Sequence, residues 1–399
     1  MSHVEERVDV VLGACGIGLG HVGRLLPVAE ALTQKGLKVV FTTYGDSADI
    51  CLRKGYTTYR ERRLSYGSKE DGSISLKETF RQTPSAFRAF MSQVRSELNV
   101  LRKHRPRLVV SDSRLSTLIA SRILRIRTVL IMHEFKVVLP IDETKVPGLG
   151  FVKGVVERIA LELMGLGWDL ADIVLIADYP PPLTVCRDSV VVPEFLKHKT
   201  LFIGTVSQPR IGLTKDEAKR LLNISGSKPL IYFGLSGLPW ERKSMRGKMM
   251  DAAKYVSRDG FQVLFSRGEP GGSDRISLSE GVMACDWLPD RRVAYAAADV
   301  FVSVGGQTSV GEALRYGLPM VVVPTPNHTE HDQIASSLQS VGVAVKIPFS
   351  ELTPERMQQA VRTIVEENYA KKSAAVSQAI SNYYPVKRIA ETVDEFIHG

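Results

Sequence analysis

Three ionisable residues in the first third of the chain have the chemistry of acids and bases. His21 ends the glycine-rich stretch GACGIGLGH, Asp112 ends RLVVSD, and Glu134 ends RTVLIMHE. A neutral imidazole is a general base near neutral pH, and a carboxylate beside it holds its tautomer and stabilises the imidazolium. His21, at a cleft lined by glycine backbone, is therefore a candidate base or hydrogen-bond donor.

The glycine-rich stretch also contains Gly18-Leu-Gly-His-Val-Gly23, which satisfies the GxGxxG pattern of dinucleotide sites. A dinucleotide fingerprint begins directly after its strand, whereas this one begins five residues beyond Gly13. The next strand, Phe41-Thr-Thr43, also lacks a terminal acidic residue. The stretch therefore does not predict a dinucleotide site. Its glycines predict a close approach of backbone to a ligand, with Gly20 and His21 at a helix N-terminus.

A second candidate site lies in VFVSVGGQTSVGEALRYGLPMVVVPTPNHTEHDQIA, residues 300–335. A strand ends at paired glycines and hydroxyl side chains open a helix, which suits a phosphate. A carboxylate one turn into this helix could accept two sugar hydroxyls, and a polar cluster follows the next strand. The predicted donor-binding residues of this segment are Gly305, Gly306, Thr308, Ser309, Glu312, Glu330, Asp332 and Gln333.

The elements that must position these residues are short apolar strands alternating with helices, a pattern typical of parallel α/β sheets. The strand pattern runs to VVVP (190–193) and restarts at LIYFGLSG (230–237). We predict an α/β fold of two Rossmann-like domains facing across a cleft, the first spanning residues 1–204 and the second 205–379. A C-terminal helix at about 380–399 is expected to pack back on the first domain. Because ligands lie at the carboxyl ends of such strands, His21 and Asp112 should meet at one sheet edge.

The 300–335 segment resembles the GT-B glycosyltransferases, specifically the UDP-glycosyltransferase and MurG-like groups. Their paired glycines, small polar pair, Glu, Ala-Leu, Gly-x-Pro and Asp/Glu-Gln are matched by Gly305, Gly306, Thr308, Ser309, Glu312, Ala313, Leu314, Gly317, Pro319, Asp332 and Gln333. Gly20-His21 is similar to the family's Gly-His loop, and Val110-Ser-Asp112 to the strand end carrying the Asp partner. Met132-His133-Glu134 resembles the acceptor-facing His-Glu of MurG-like enzymes. The resemblance therefore implies that His21 is the catalytic base and Asp112 its partner, with Glu134 as a rival base.

Two further segments resemble the family's donor site. Phe233-Gly-Leu-Ser236 resembles the diphosphate loop, which implies roles for Gly234 and Ser236. Asp286-Trp-Leu-Pro289 resembles the segment that brackets the nucleobase, which implies roles for Trp287 and Leu288. The chain departs from the family at Val304, where many members have a histidine that contacts the diphosphate.

The resemblance implies an inverting hexosyl- or N-acetylhexosaminyltransferase. Its donor would be a nucleotide sugar, expected to be UDP-linked, and it would need no cofactor and no metal ion. The helix dipole and Gly234, Ser236, Gly306 and Thr308 would stabilise the departing diphosphate. Two alternatives stay open: an enzyme like UDP-N-acetylglucosamine 2-epimerase, and a non-catalytic subunit that binds a nucleotide sugar or a membrane.

Charge points to an anionic partner of the first domain. The net charge is +9, and residues 53–127 alone contain 18 basic and 6 acidic residues. We expect the acceptor to be a polyprenyl phosphate or another lipid, and the protein to contact a membrane surface. Nucleic acid is not expected, since the basic stretch lacks the aromatic-interleaved pattern of an RNP-like motif. The chain shows no signal peptide and no apolar stretch of bilayer length, so a cytoplasmic location, on the membrane face, is expected.

Two expectations concern burial. Seven apolar side chains of the predicted helix at 151–168 fall on one face, which favours core packing over a helix lying in a membrane surface. They are Phe151, Val152, Val155, Val156, Ile159, Leu163 and Met164. The four cysteines form no CxxC pair and are expected to be buried free thiols.

Overall fold

Two seven-stranded sheets follow one another along the chain in a computed structural model that describes residues 7–63, 76–136, 149–274, 276–279 and 281–399. The two sheets lie on either side of the predicted domain boundary at residues 204 and 205, which itself stays a prediction. Helices flank both sheets, and the architecture is α/β with two halves, as predicted.

The first half alternates strands with helices. Its elements are β1 (Val10–Ala14), α1 (Gly20–Gln34), β2 (Val39–Thr43), α2 (Asp46–Arg53), β3 (Thr58–Arg60), α3 (Leu76–His104), β4 (Leu108–Asp112), α4 (Leu115–Ile123), β5 (Thr128–Met132), α5 (Leu149–Trp168), β6 (Ile173–Ile176) and β7 (Thr200–Phe202). The strands are parallel in the order β3-β2-β1-β4-β5-β6-β7. The order reverses between β1 and β4, and the carboxyl ends of strands frame a crevice at such a switch point.

The second half repeats this plan. Its elements are α6 (Lys215–Leu221), β8 (Leu230–Gly234), α7 (Pro239–Arg258), β9 (Gln262–Ser266), β10 (Ser277–Ser279), β11 (Val282–Cys285), α8 (Arg291–Ala297), β12 (Val300–Ser303), α9 (Gln307–Arg315), β13 (Met320–Val322), α10 (Thr329–Val341), β14 (Ala344–Lys346), α11 (Pro354–Glu366), α12 (Tyr369–Ala379) and α13 (Pro385–His398). The order is β10-β11-β9-β8-β12-β13-β14, and only β10 is antiparallel to its neighbour among these described strands. The switch point here lies between β8 and β12.

The last helix returns to the first half. Ile389, Ala390 and Val393 of α13 are buried in the same apolar core as Val22 and Leu25 of α1. The chain therefore passes between the two halves twice, once before α6 and once before α13.

The predicted strand at 190–193 is wrong, because this segment forms no strand. Val190 and Val192 pack against the core beside α5, but Pro193 has no amide hydrogen and leads into a short 3-10 helix, Glu194–Lys199. The place beside β6 is taken by β7 instead.

The predicted core packing of the apolar face of α5 is also wrong. Leu161 and Trp168 are buried, but Phe151 is 80% exposed, Ile159 55% and Leu163 64%. Apart from Met164, which packs against the core, the predicted face points to solvent, because α5 packs mainly through its opposite side. No helix among the described residues is long and apolar enough to cross a bilayer.

Candidate active site

The first sheet places His21 and Asp112 side by side at its switch point. His21 is the second residue of α1, and Asp112 is the last residue of β4, the strand beside β1. Nδ1 of His21 lies 2.7 Å from Oδ1 of Asp112, whose side chain is fully buried. The two residues, 91 positions apart, are therefore in hydrogen-bond contact, as the strand pattern predicts.

Arg24 is a third member of this cluster, and the sequence analysis missed it. Its Nε and Nη2 donate to Oδ2 and Oδ1 of Asp112, each at 2.8 Å, and its side chain is almost fully buried. Burial raises the pKa of Asp112, but the charges of Arg24 and His21 outweigh burial and keep that pKa below the usual range. The available signal was spacing, because His21 and Arg24 are three residues apart and share one face of α1.

The position of the imidazole hydrogen of His21 follows from its two neighbours. Nδ1 lies 2.7 Å from Oδ1 of Asp112 and 2.8 Å from Nη2 of Arg24. A guanidinium only donates, and one of the two hydrogens of Nη2 is directed to the same carboxylate oxygen. A lone pair on Nδ1 would face an ionised carboxylate at 2.7 Å, which is repulsive. We therefore assign the hydrogen to Nδ1, and Nε2 of His21 is the basic nitrogen.

Cys15 lies beside His21 and changes its proton affinity. Its Sγ is 3.3 Å from the hydroxyl oxygen of Tyr44. Burial lowers the pKa of His21, but the charges of Cys15 and Asp112 outweigh burial and raise the pKa to about 9. Burial raises the pKa of Cys15, whereas the charge of His21 and the hydrogen bonds from His21 and Tyr44 lower it, to about 7 overall. The thiol and the imidazole therefore compete for one proton near neutral pH.

The four cysteines do not share one environment. Cys15 is partly exposed, whereas Cys51, Cys186 and Cys285 are buried. Burial raises the pKa of Cys51 to about 12 and that of Cys285 to about 11. The expectation of buried free thiols is confirmed for those three and wrong for Cys15, which lies in the loop between β1 and α1.

Glu134 lies in the same crevice, two residues after β5. Its neighbour His133 is buried, and Nε2 of His133 is 3.4 Å from Oε1 of Glu330 in the first turn of α10. Burial and the charge of Glu330 raise the pKa of Glu134 to about 8, and the charge of His21 opposes them. The structure therefore keeps Glu134 as a rival base beside His21.

His133, Glu134 and Glu330 are also the one group of side chains among the described residues with the spacing of a metal site. Each offers one nitrogen or oxygen, and these atoms lie within 4.8 Å of one another. Two of the three come from the first half and one from the second, so the group spans the cleft.

The second sheet forms a polar concavity at its own switch point. Gly306 is the N-cap of α9 and makes no side-chain capping bond. A Cβ atom placed on Gly306 would lie 3.5 Å from Oγ of Ser236, 4.0 Å from Nε2 of His331 and 4.0 Å from Oγ of Ser309. Three polar atoms thus converge where helix dipoles favour an anion. The sequence predicted all of these residues except His331.

The two switch points face each other across the start of α9. Nε2 of Gln307 donates to the carbonyl oxygen of Ala177, and Oε1 of Gln307 accepts from Nη1 of Arg24 at 3.2 Å. A Cβ atom placed on Gly20 would lie 3.7 Å from Oγ1 of Thr308. The loop that carries the candidate base therefore contacts the helix end that suits an anion. Gln307 was missed because a glutamine in a first turn carries no distinctive sequence signal.

Comparisons with known proteins show which proteins this chain resembles. Residues 248–393 match the glycosyltransferase family 28 C-terminal domain. An uncharacterized glycosyltransferase of Methanosarcina mazei is 24% identical to this chain and covers 92% of it and 93% of its own length. A UDP-N-acetylglucosamine–N-acetylmuramyl-(pentapeptide) pyrophosphoryl-undecaprenol N-acetylglucosamine transferase of Exiguobacterium sibiricum is 23% identical, over 97% of this chain and 98% of its own. The protein is a glycosyltransferase.

Its fold is also found in solved structures. The spinosyn rhamnosyltransferase complexed with thymidine diphosphate superposes with a TM-score of 0.67 at 15% identity, over 97% of this chain and 100% of that one. At this identity the likeness concerns the fold, which is GT-B, as the sequence predicts.

Two predicted donor residues of the glycosyltransferase already have charged partners. Glu312 is buried, and its Oε2 lies 2.5 Å from Nε of Arg291, a residue that the sequence analysis missed. Asp332 is largely exposed, and its Oδ1 lies 2.6 Å from Nζ of Lys346 at the end of β14. Any contact of these carboxylates with a sugar would have to be made beside, or in place of, these ion pairs.

The other predicted donor residues of the glycosyltransferase follow strand ends of the second half. Gly234 ends β8, and a Cβ atom there would lie 2.8 Å from the ring of Phe301, so packing requires the glycine. Trp287 and Leu288 follow β11. Oε1 of Gln333 is buried without a hydrogen-bond partner among the described residues. The roles of these residues stay predictions.

Proposed function

We propose that the protein transfers a sugar from a nucleotide-sugar donor, UDP-linked, to a hydroxyl group of a lipid-linked or phosphate-bearing acceptor, with inversion and without a metal ion. The observation that carries the proposal is the contact between the two switch points. The basic Nε2 of His21 and the N-terminus of α9 belong to segments that meet at Gly20 and Thr308.

In the proposed reaction, His21 is the general base. Nε2 takes the proton of the acceptor hydroxyl, and the acceptor oxygen attacks the anomeric carbon from the face opposite the diphosphate. The new carbon–oxygen bond forms as the bond to the diphosphate oxygen breaks, which inverts the anomeric centre. Asp112 stabilises the imidazolium that results, and the pair of hydrogen bonds from Arg24 keeps Asp112 ionised throughout.

The departing diphosphate is stabilised by the start of α9 and the hydroxyl groups around Gly306. Amide groups and hydroxyls fixed in a cleft stabilise developing negative charge without a metal ion. We expect full turnover in the presence of EDTA. Loss of turnover in EDTA, restored by a divalent cation, would instead assign a metal to the group formed by His133, Glu134 and Glu330.

The donor assignment draws on two relatives. The Exiguobacterium relative is named for a UDP-sugar donor, and the spinosyn enzyme is bound to thymidine diphosphate. A thermal-shift screen with UDP, GDP, dTDP and their sugars tests the nucleobase, because a ligand that binds the native state raises the melting temperature. We expect the largest shift with UDP.

The lipid acceptor is supported by the exposed apolar face of α5, which we name the α5 face: Phe151, Val152, Val155, Val156, Ile159 and Leu163. Nζ of Lys136, two residues after Glu134, lies 3.0 Å from Oε2 of Glu157 on α5. This bond ties α5 to the loop that carries the rival base, and Glu157 lies on the buried side of the helix, opposite the α5 face. An exposed apolar face on a basic domain suits the surface of an anionic bilayer.

Vesicle sedimentation tests this part of the proposal. The double variant Ile159→Ser, Leu163→Ser should lose binding to phosphatidylglycerol vesicles. Leu221→Ser is a matched control, since Leu221 is 63% exposed but lies in the second half. Charge reversal at Arg60, Arg62 and Arg63 should also weaken binding. If all variants bind the vesicles equally well, the proposed membrane contact is wrong.

The epimerase alternative is tested by incubating the protein with a nucleotide sugar and no acceptor. The transferase proposal expects the donor to be recovered with its configuration unchanged. Accumulation of the 2-epimer would favour the alternative. The non-catalytic alternative is disfavoured, because the full-length relatives are named as glycosyltransferases.

A further inference from the structure

His331 is a buried imidazole with one nitrogen left without a partner. Only 6% of its surface is exposed, and its Nδ1 lies 3.0 Å from Oγ1 of Thr325. Its Nε2 has no hydrogen-bond partner among the described residues. This nitrogen is one of the three polar atoms that converge above Gly306. It therefore faces the end of α9 at which the proposed function places the diphosphate.

Thr325 decides which nitrogen of His331 carries the hydrogen. The threonine hydroxyl has one proton, and its two neighbours are Nδ1 of His331 at 3.0 Å and Sδ of Met245 at 3.5 Å. A thioether is a weak acceptor, whereas an imidazole nitrogen is a strong one. The hydroxyl therefore donates to Nδ1, and the hydrogen of the neutral ring is on Nε2, directed at the concavity.

The ring of His331 is also fixed in orientation. His328 stacks on it with ring centroids 3.7 Å apart and planes within 6° of parallel. The backbone of His331 also lies close to that of Gly305, where a Cβ atom would meet the carbonyl oxygen of His331 at 2.9 Å.

We propose that His331 is a donor-binding residue whose Nε2–H donates to a diphosphate oxygen of the nucleotide sugar, and that Thr325 is its positioning residue. His331 would supply from the start of α10 the contact that many members of the resembled family make from the position of Val304. The inference rests on the proposed function, because it presumes a nucleoside diphosphate in the cleft.

Calorimetric binding of UDP and uridine to the full chain tests His331. His331→Phe keeps the ring and its stacking but removes the donor, whereas His331→Gln keeps a donor near the position of Nε2. A hydrogen bond to a charged group corresponds to roughly 10- to 100-fold in affinity. We expect His331→Phe to weaken UDP binding by about that factor, to leave uridine binding unchanged, and to be largely rescued in His331→Gln.

Thr325 provides a second test that leaves the imidazole in place. Thr325→Val removes the hydroxyl at nearly constant volume, and Thr325→Ser retains it. Long-range proton–nitrogen NMR of histidine-labelled protein should report hydrogen on Nε2 of His331 in the wild type and in Thr325→Ser, and a mixture of tautomers in Thr325→Val. Of the two Thr325 variants, only Thr325→Val should have a lower affinity for UDP.

The outcomes separate the two proposals. If the wild type binds none of UDP, GDP and dTDP, the proposed nucleotide-sugar donor is wrong. If one of them binds, and His331→Phe and Thr325→Val bind it as tightly as the wild type, the role of His331 is overturned and the proposed function stands. An equal loss of uridine and UDP binding in His331→Phe would also overturn it, since a diphosphate contact cannot affect the nucleoside.

Discussion

Arg24 holds both carboxylate oxygens of Asp112, at 2.8 Å from Nε to Oδ2 and at 2.8 Å from Nη2 to Oδ1. The carboxylate therefore has a permanent positive partner besides the histidine, and its charge is divided between the two. Such a carboxylate stays ionised whether the histidine is neutral or protonated. It also raises the proton affinity of the histidine less than an unshared carboxylate would.

Replacing Arg24 tests this division of charge. In Arg24→Met, His21 becomes the only positively charged partner of Asp112 among its contacts with the described residues, so the pKa of His21 should rise further. A base must be neutral to act, so the acidic limb of the kcat/KM profile should move to higher pH. Stability should fall by about 3–5 kcal/mol, because a buried carboxylate loses its partner. Arg24→Lys, which keeps the charge, should leave the limb closer to that of the wild type; an unmoved limb in Arg24→Met would contradict the assignment.

Replacing Cys15 should have the opposite effect to replacing Arg24, because it should lower the pKa of His21. The charge of Cys15 is one cause of the raised pKa of His21, so kcat/KM of the wild type should fall as the pH drops below about 9. Removal of the thiol in Cys15→Ala should move this limb toward neutral pH and increase activity at pH 7. Cys15→Ser should behave like Cys15→Ala, because a serine hydroxyl does not ionise. A limb that stays in place in both variants would show that the thiol does not interact with the base.

Reactivity of the thiols gives an independent check. The pKa of Cys15, lowered overall to about 7, predicts a thiolate at pH 8, whereas Cys51, Cys186 and Cys285 are buried with raised pKa values. Iodoacetamide should therefore label Cys15 first, as read by peptide mass spectrometry, and inactivate the enzyme in step with labelling. Cys15→Ala should resist inactivation. First labelling at any of the other three would refute the prediction.

The identity of the base is tested by comparing His21→Ala with Glu134→Gln. Loss of a general base lowers the rate by about 10²–10⁴-fold. We expect a loss of this size in kcat/KM for His21→Ala and a much smaller one for Glu134→Gln. The pKa of Glu134, raised to about 8, also makes its own contribution to the pH profile, which should disappear in Glu134→Gln. Near-normal turnover in His21→Ala with none in Glu134→Gln would transfer the role of base to Glu134.

What the sequence predicts well is the placement of residues by strand ends. His21 and Asp112 come together because β1 and β4 are neighbours, and apolar runs indicate both strands. The paired glycines at 305 and 306 likewise mark the end of a strand and the start of a helix. These inferences depend on the spacing of apolar residues and glycines, which can be recognised within short segments of the sequence.

What the sequence does not predict is which polar side chain reaches across an interface. Arg24 and Gln307 bond to each other over 283 positions, and His331 faces Gly306 only because the start of α10 packs beside the start of α9. The prediction that the apolar face of α5 packs in the core was wrong for a related reason. Periodicity shows that a helix has an apolar face, but only tertiary packing decides which face is covered.

Because α13 packs on the first half, it limits how the two halves can be separated or exchanged. Ile389, Val393 and Ile397 fill the first half's core, so residues 1–204 expressed alone would lack part of their own interior. A hybrid enzyme that exchanges the donor-binding half for that of a relative should therefore keep residues 385–398 from the same parent as residues 1–204. The last helix is therefore structurally part of the first half, although it lies at the other end of the sequence.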